Sequence, residues 1–86
     1  MHFVYIIECK DGKLYTGITD NVERRFKEHQ RQGSHFTSYN QVTKLLYKEP
    51  FPDIHAAAKR EKQIKGWTRR KKLALITGDF ELLKRL

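Results

Sequence analysis

A chain of 86 residues, 38% of them apolar, carries enough hydrophobic surface for one small core and none for a second, so residues 1–86 read as a single domain. Apolar runs such as FVYII and LALI are far too short to span a bilayer, and the N-terminus lacks the basic-then-apolar layout of a secretory signal; the expectation is a soluble cytoplasmic protein without a membrane partner, monomeric by default. A formal charge of +8 instead favours a polyanionic partner, nucleic acid being the commonest.

The first predicted elements are two strands, residues 2–9 and 13–18, rich in Val, Ile, Tyr and Phe and separated by KDG. A type I turn over Lys10 and Asp11 with a left-handed Gly12 would pair Ile7 with Tyr15 and Tyr5 with Gly17, placing both tyrosines on one face. A two-residue Asp-Gly turn shifts the register by one and separates them. Turn chemistry by itself leaves both registers open. Cys9, the single cysteine, has no internal disulfide partner, and no Cys/His cluster has zinc-site spacing.

A helix follows, with Asp20 as N-cap, Glu23 completing a capping box and Gly33 after its last turn. Steps of about 100° put Val22, Phe26 and His29 on one side with Arg25 at its edge, while Arg24 and Glu28 face away. Arg25 is therefore directed at whatever this helix packs on, whereas Arg24 is solvated. The loop 33–41 interleaves polar residues with Phe36 and Tyr39, which can either stack on bases or pin the loop to the core.

VTKLLYKE is predicted as a third strand ended by Pro50 and Pro52. Asp53 then caps a helix whose apolar stripe is Ile54, Ala57, Ala58 and Ile64, with Glu61 in its middle. A carboxylate on a core-facing side is costly unless a cation answers it, so Glu61 either pairs with a base such as Lys65 or holds a metal ion. A third helix starts at Thr68 and stops at Gly78, a short one closes the chain, and Trp67, Leu73, Ile76, Phe80 and Leu83 are the expected core residues. The stretch from Lys59 to Lys72 holds eight of the 18 Lys and Arg residues. Its members Lys59, Arg60, Lys62, Lys65, Arg69, Arg70, Lys71 and Lys72 are the candidate nucleic-acid-binding set. The element order predicts an α+β sandwich: a small antiparallel sheet with helices against it.

Val4-Tyr5-Ile6 and Tyr15-Thr16-Gly17, followed by NVERRFKEH and AAAKREKQIKGW, resemble the GIY-YIG nuclease superfamily, in particular its branch of small stand-alone bacterial proteins. The likeness runs from residue 3 to about residue 76. It implies a three-stranded antiparallel sheet flanked by helices and a one-metal nuclease site. Carried over position by position, the catalytic set is Tyr5, Tyr15, Arg25, His29 and Glu61, with Glu61 as the ligand of Mg²⁺ or Mn²⁺, one ion bound together with substrate. Tyr5 is favoured as general base and Tyr15 as a contact to phosphate or water, and the need for both phenols at one site selects the three-residue turn. Phe3, Val4 and Thr16 depart from the family motifs without touching the tyrosines, and TGDFELL lacks the asparagine that the branch often carries there.

The resulting expectation is a divalent-metal-dependent endonuclease acting on DNA rather than RNA. Relatives in homing and repair take their target choice from an appended recognition domain, which this sequence does not show, so its own sequence specificity is expected to be low. The alternative is a non-catalytic nucleic-acid-binding module with the same fold; retention of Tyr5, Tyr15, Arg25 and Glu61 together favours the enzyme.

Overall fold

In the computed structural model, which describes residues 1–31 and 42–86, the elements are β1 (His2–Cys9), β2 (Leu14–Thr19), α1 (Val22–Arg31), β3 (Val42–Phe51), α2 (Ile54–Lys65), α3 (Arg69–Thr77) and α4 (Phe80–Arg85). The predicted Gly33 helix stop and the aromatic loop with Phe36 and Tyr39 lie outside the described residues. The three strands form an antiparallel sheet in the order β2-β1-β3, so the architecture is the expected α+β one. Central β1 is nearly continuous apolar sequence because both of its faces are covered.

KDG adopts the three-residue turn. Gly12 N–H donates to Cys9 O at 2.8 Å, Cys9 N–H to Lys13 O at 2.9 Å, and Gly12 has φ +87°, a left-handed value that favours glycine. The register that follows pairs Ile7 with Tyr15 and Tyr5 with Gly17. Alternation along β1 then splits the core. Val4 and Ile6 pack with Ala57 and Ile64 of α2 and Leu75 of α3, whereas Tyr5, Ile7 and Cys9 form a second cluster with Val42, Phe26 of α1 and Tyr15. Leu45 and Tyr47 share parity in β3 yet sit in opposite clusters, because an irregularity between Ile6 and Ile7 leaves Leu46 without a partner on β1 and turns the strand over.

Four expectations change. α1 is capped by Asn21, whose Oδ1 accepts Arg24 N–H at 3.0 Å, while the Asp20 carboxylate pairs with the Arg24 guanidinium instead. Two adjacent cap residues leave the helix frame ambiguous by one, and this frame moves Glu23 out of a capping box and toward Lys48, 3.8 Å away. Strand β3 continues through Pro50, paired with Phe3, because an edge strand tolerates the missing donor. Ile54, at the first turn of α2, is exposed rather than part of the buried stripe. Leu73 and Phe80 are also exposed, while Ala74 and Leu75 are buried: LALI is apolar all round and its phase cannot be read from pattern. Trp67, Ile76 and Leu83 do pack on the core, Asp53 caps α2 through Ala56 N–H, and Thr68 and left-handed Gly78 bound α3 as predicted.

Candidate active site

Tyr5 lies on the central strand with its ring across Gly17 of the neighbouring edge strand. A Cβ at position 17 would stand 2.5 Å from the Tyr5 hydroxyl and 2.7 Å from Cζ, so only glycine leaves the ring its place. Gly17 escapes the sequence reading as a site residue. Its signal is a glycine inside a strand pattern, opposite an aromatic, where close approach of another group is the usual reason. Gly17→Ala is expected to push the Tyr5 ring out of position and to destabilise the fold by about 1–3 kcal/mol, the ordinary cost of overpacking. Denaturant titration together with the aromatic NMR signals of Tyr5 and His29 checks this, and an unmoved pair of signals would refute it.

Helix α1 covers this face through Phe26 and His29. His29 is buried, and its Nε2 is hydrogen-bonded to the Tyr5 hydroxyl at 3.0 Å. Tyr15 closes the group: its ring centroid is 6.4 Å from that of Tyr5 and 5.3 Å from that of His29, edge-on to the imidazole. Arg25, one turn before His29, sets its guanidinium beside the Tyr5 hydroxyl and also stands 4.0 Å from Glu28. Glu61 comes from α2, in the opposite layer. Its side chain keeps only 20% of its surface exposed and pairs with Lys65 at 3.5 Å, and its negative charge is felt at Tyr5. The ion-pair reading of Glu61 therefore holds in this state.

Burial raises the pKa of Tyr5, and the opposing influence of Arg25 is the smaller effect; Tyr15 and Glu61 add to the rise. His29 moves the other way, held below the ordinary 6.5 first by burial and then by Arg25, with Glu28 partly offsetting. Near neutral pH the pair is thus a phenol hydrogen-bonded to an uncharged imidazole. Since the folded value is depressed, the unfolded chain binds a proton at pH values where native His29 does not, so stability should be complete above about 6.5 and decline as pH falls below it. Denaturant midpoints measured across this window should show a shallower acid-side decline in His29→Gln than in the wild type; equal declines would contradict it. Tyr47, by contrast, donates to Glu49 Oε1 at 2.8 Å and is pushed up to about 12 by burial and that carboxylate, which removes it as a competing base.

The basic segment is less uniform than its sequence. Arg60 pairs with Glu49 at 3.4 Å and lies over the Trp67 ring, 5.1 Å from its centroid, and the Lys71 ammonium lies 4.5 Å from the same centroid. Lys59, Lys62 and Arg70 are exposed, Lys65 pairs with Glu61, Arg69 reaches the hairpin carbonyl of Gly12, and Lys72 is half-buried.

A family profile described as the GIY-YIG catalytic domain matches residues 1–74. The chain therefore belongs to the GIY-YIG family, a nuclease family whose members generally use divalent metal ions. Among its relatives, a UPF0213 protein of Staphylococcus saprophyticus is 43% identical over 77 residues, covering 88% of this chain and 94% of its own. The UPF0213 protein of Staphylococcus aureus strain Mu3 is 46% identical over 76 residues, covering 87% and 93%. The solution NMR structure of the UPF0213 protein BH0048 from Bacillus halodurans is similar at 40% identity with a TM-score of 0.58, covering 88% of this chain and 82% of that one.

Proposed function

We propose that this chain is a divalent-metal-dependent endonuclease that hydrolyses phosphodiester bonds in DNA with low sequence specificity of its own. The observation that carries the reading is the hydrogen bond of 3.0 Å between the Tyr5 hydroxyl and a buried His29, inside a cluster that also holds Arg25 and Tyr15. A buried phenol with a raised pKa is a poor base by itself, but it can take a proton from water as it passes its own to an imidazole. With Nε2 of neutral His29 as acceptor, Tyr5 receives the water proton and releases its phenolic proton to His29, and the hydroxide oxygen bonds to phosphorus as the P–O bond to the leaving oxygen breaks. Arg25 offsets charge gathering on the phosphoryl oxygens, and Tyr15 orients the water or the phosphate.

Glu61 is the residue that would hold Mg²⁺ or Mn²⁺. The donor suits such an ion: Glu61 offers a carboxylate with 20% of its side chain exposed, and a hard divalent ion of this kind needs only one or two protein carboxylates, completing its shell with water and substrate phosphate. Bound there, the ion supplies polarisation of the scissile phosphate and stabilisation of the departing oxygen. This favours binding of the ion together with substrate, and Lys65 as the cation that balances Glu61 otherwise. Incubation of the protein with single-stranded, branched and nicked DNA in Mg²⁺ or Mn²⁺ tests the proposal: the expected result is cutting that EDTA abolishes. Salt-sensitive binding with no cutting of any substrate under either ion would replace it with the non-catalytic binding module.

A further inference from the structure

Beyond the tyrosine cluster, a cleft of about 220 Å³ opens between the β1–β2 hairpin and the first turns of α3, lined by Lys13, Leu14, Arg69 and Lys72. Its three polar residues are all cations, with Lys13 brought to Arg69 and Lys72 from 56 and 59 residues away in the chain. Arg69 donates to the carbonyl oxygen of Gly12, which links the start of α3 to the hairpin turn across the cleft. Lys72 is half-buried, and among the described residues no carboxylate forms an ion pair with it or with Arg69. Lys13 has only an exposed pairing with Asp11 at 3.8 Å, of a kind that contributes little and yields readily to a stronger anion. Burial first, and the nearby Lys65 second, lower the pKa of Lys72.

The cleft lies on the Glu61 side of the sheet. Leu14 in its wall packs with the α2–α3 layer, on the face opposite that of its neighbour Tyr15, and Lys65, whose charge acts on Lys72, is the partner of Glu61 at 3.5 Å. We propose that Lys13, Arg69 and Lys72 form a separate subsite for a backbone phosphate of the same nucleic-acid strand, one that lies outside the reacting linkage and sets the path of the strand past Tyr15 and Glu61. The identity of the polymer rests on the nuclease reading; the subsite itself rests on the cleft. Of the eight cations between Lys59 and Lys72, two thus act here, joined by one from the hairpin, while Arg60 and Lys71 serve Trp67 and Glu49.

The test uses a labelled nicked duplex in EDTA, with binding followed by anisotropy over a range of KCl concentrations. Each phosphate contact contributes about 0.9 to the slope of log Kobs against log salt. The double variant Lys13→Gln/Lys72→Gln should flatten that slope by close to two contacts' worth, and Lys13→Gln alone, an exposed substitution that leaves the core untouched, by close to one. Lys84→Gln, on the exposed face of α4, should leave it unchanged. A wild-type slope in both Lys13 variants, or wild-type binding that does not respond to salt, overturns the subsite. Because the measurement needs no cutting, a flattened slope with no cleavage by the wild type upholds the subsite and sinks the nuclease reading, whereas cleavage with an unaltered slope does the reverse.

Discussion

Glu61→Gln should reduce metal-dependent cleavage by about 10³-fold or more, because it removes the negative charge that would hold the ion and with it several kcal/mol of transition-state stabilisation. Its effect on stability should be small. The Glu61–Lys65 pair is an i,i+4 contact whose lysine is about half exposed, and such pairs contribute roughly 0–1 kcal/mol. The two readouts separate the explanations that sequence pattern leaves open for this carboxylate. A variant that cuts normally and loses only a little stability would make Glu61 an ordinary structural ion pair. A variant with a wild-type denaturation midpoint and no cutting would make it functional. Binding of the nicked duplex in EDTA should survive in Glu61→Gln, since the cations of the cleft are untouched and one repelling charge is gone.

Tyr5→Phe is the second substitution with a large expected effect. Loss of a positioned proton-transfer group lowers turnover by about 10²–10⁴-fold, and KM should change little because the proposed contacts of Arg25 and Tyr15 with the phosphate do not involve the Tyr5 hydroxyl. It should also cost about 1–3 kcal/mol of stability, since the phenol leaves a buried His29 nitrogen that it had satisfied. His29→Gln keeps a polar side chain against the phenol but offers a far weaker proton acceptor, so it should lower turnover while retaining more stability than Tyr5→Phe. If Tyr5→Phe cuts at the wild-type rate, the relay from water through Tyr5 to His29 is wrong and Tyr15 becomes the better candidate. Gly17→Ala supplies an independent check, because it leaves every reacting group in the chain and displaces only the Tyr5 ring.

The assembly of the site explains why its parts come from distant segments. The odd-numbered residues of β1 face α1 and the even-numbered ones face α2 and α3. Tyr5, Tyr15, Arg25 and His29 therefore share one layer, and Glu61 belongs to the other. β2 lies at the edge of the sheet, where the Tyr5 ring passes over the bare backbone of Gly17, and Glu61 contributes the smallest part of the rise in the Tyr5 pKa. A side chain at position 17 would displace that ring.

The amino-acid pattern by itself determined the local matters: the inward face of α1 carrying His29, the caps at Asp53 and Thr68, and the excess of positive charge. These depend on a cap's side chain or on one element's periodicity, so a few neighbouring residues suffice to specify them, whereas the hairpin register, open to two turns, needed the pairing of whole strands. Only tertiary structure decided the rest. It moved the α1 cap from Asp20 to Asn21, carried β3 through Pro50, phased LALI so that Leu75 rather than Leu73 is buried, and let burial outweigh Arg25 at the Tyr5 hydroxyl. It also sorted the cations, committing Arg60 and Lys71 to Trp67 and turning Arg69 and Lys72 toward Lys13. Those outcomes depend on which distant surfaces meet, and charge, burial and helix phase take their values only after that contact is made.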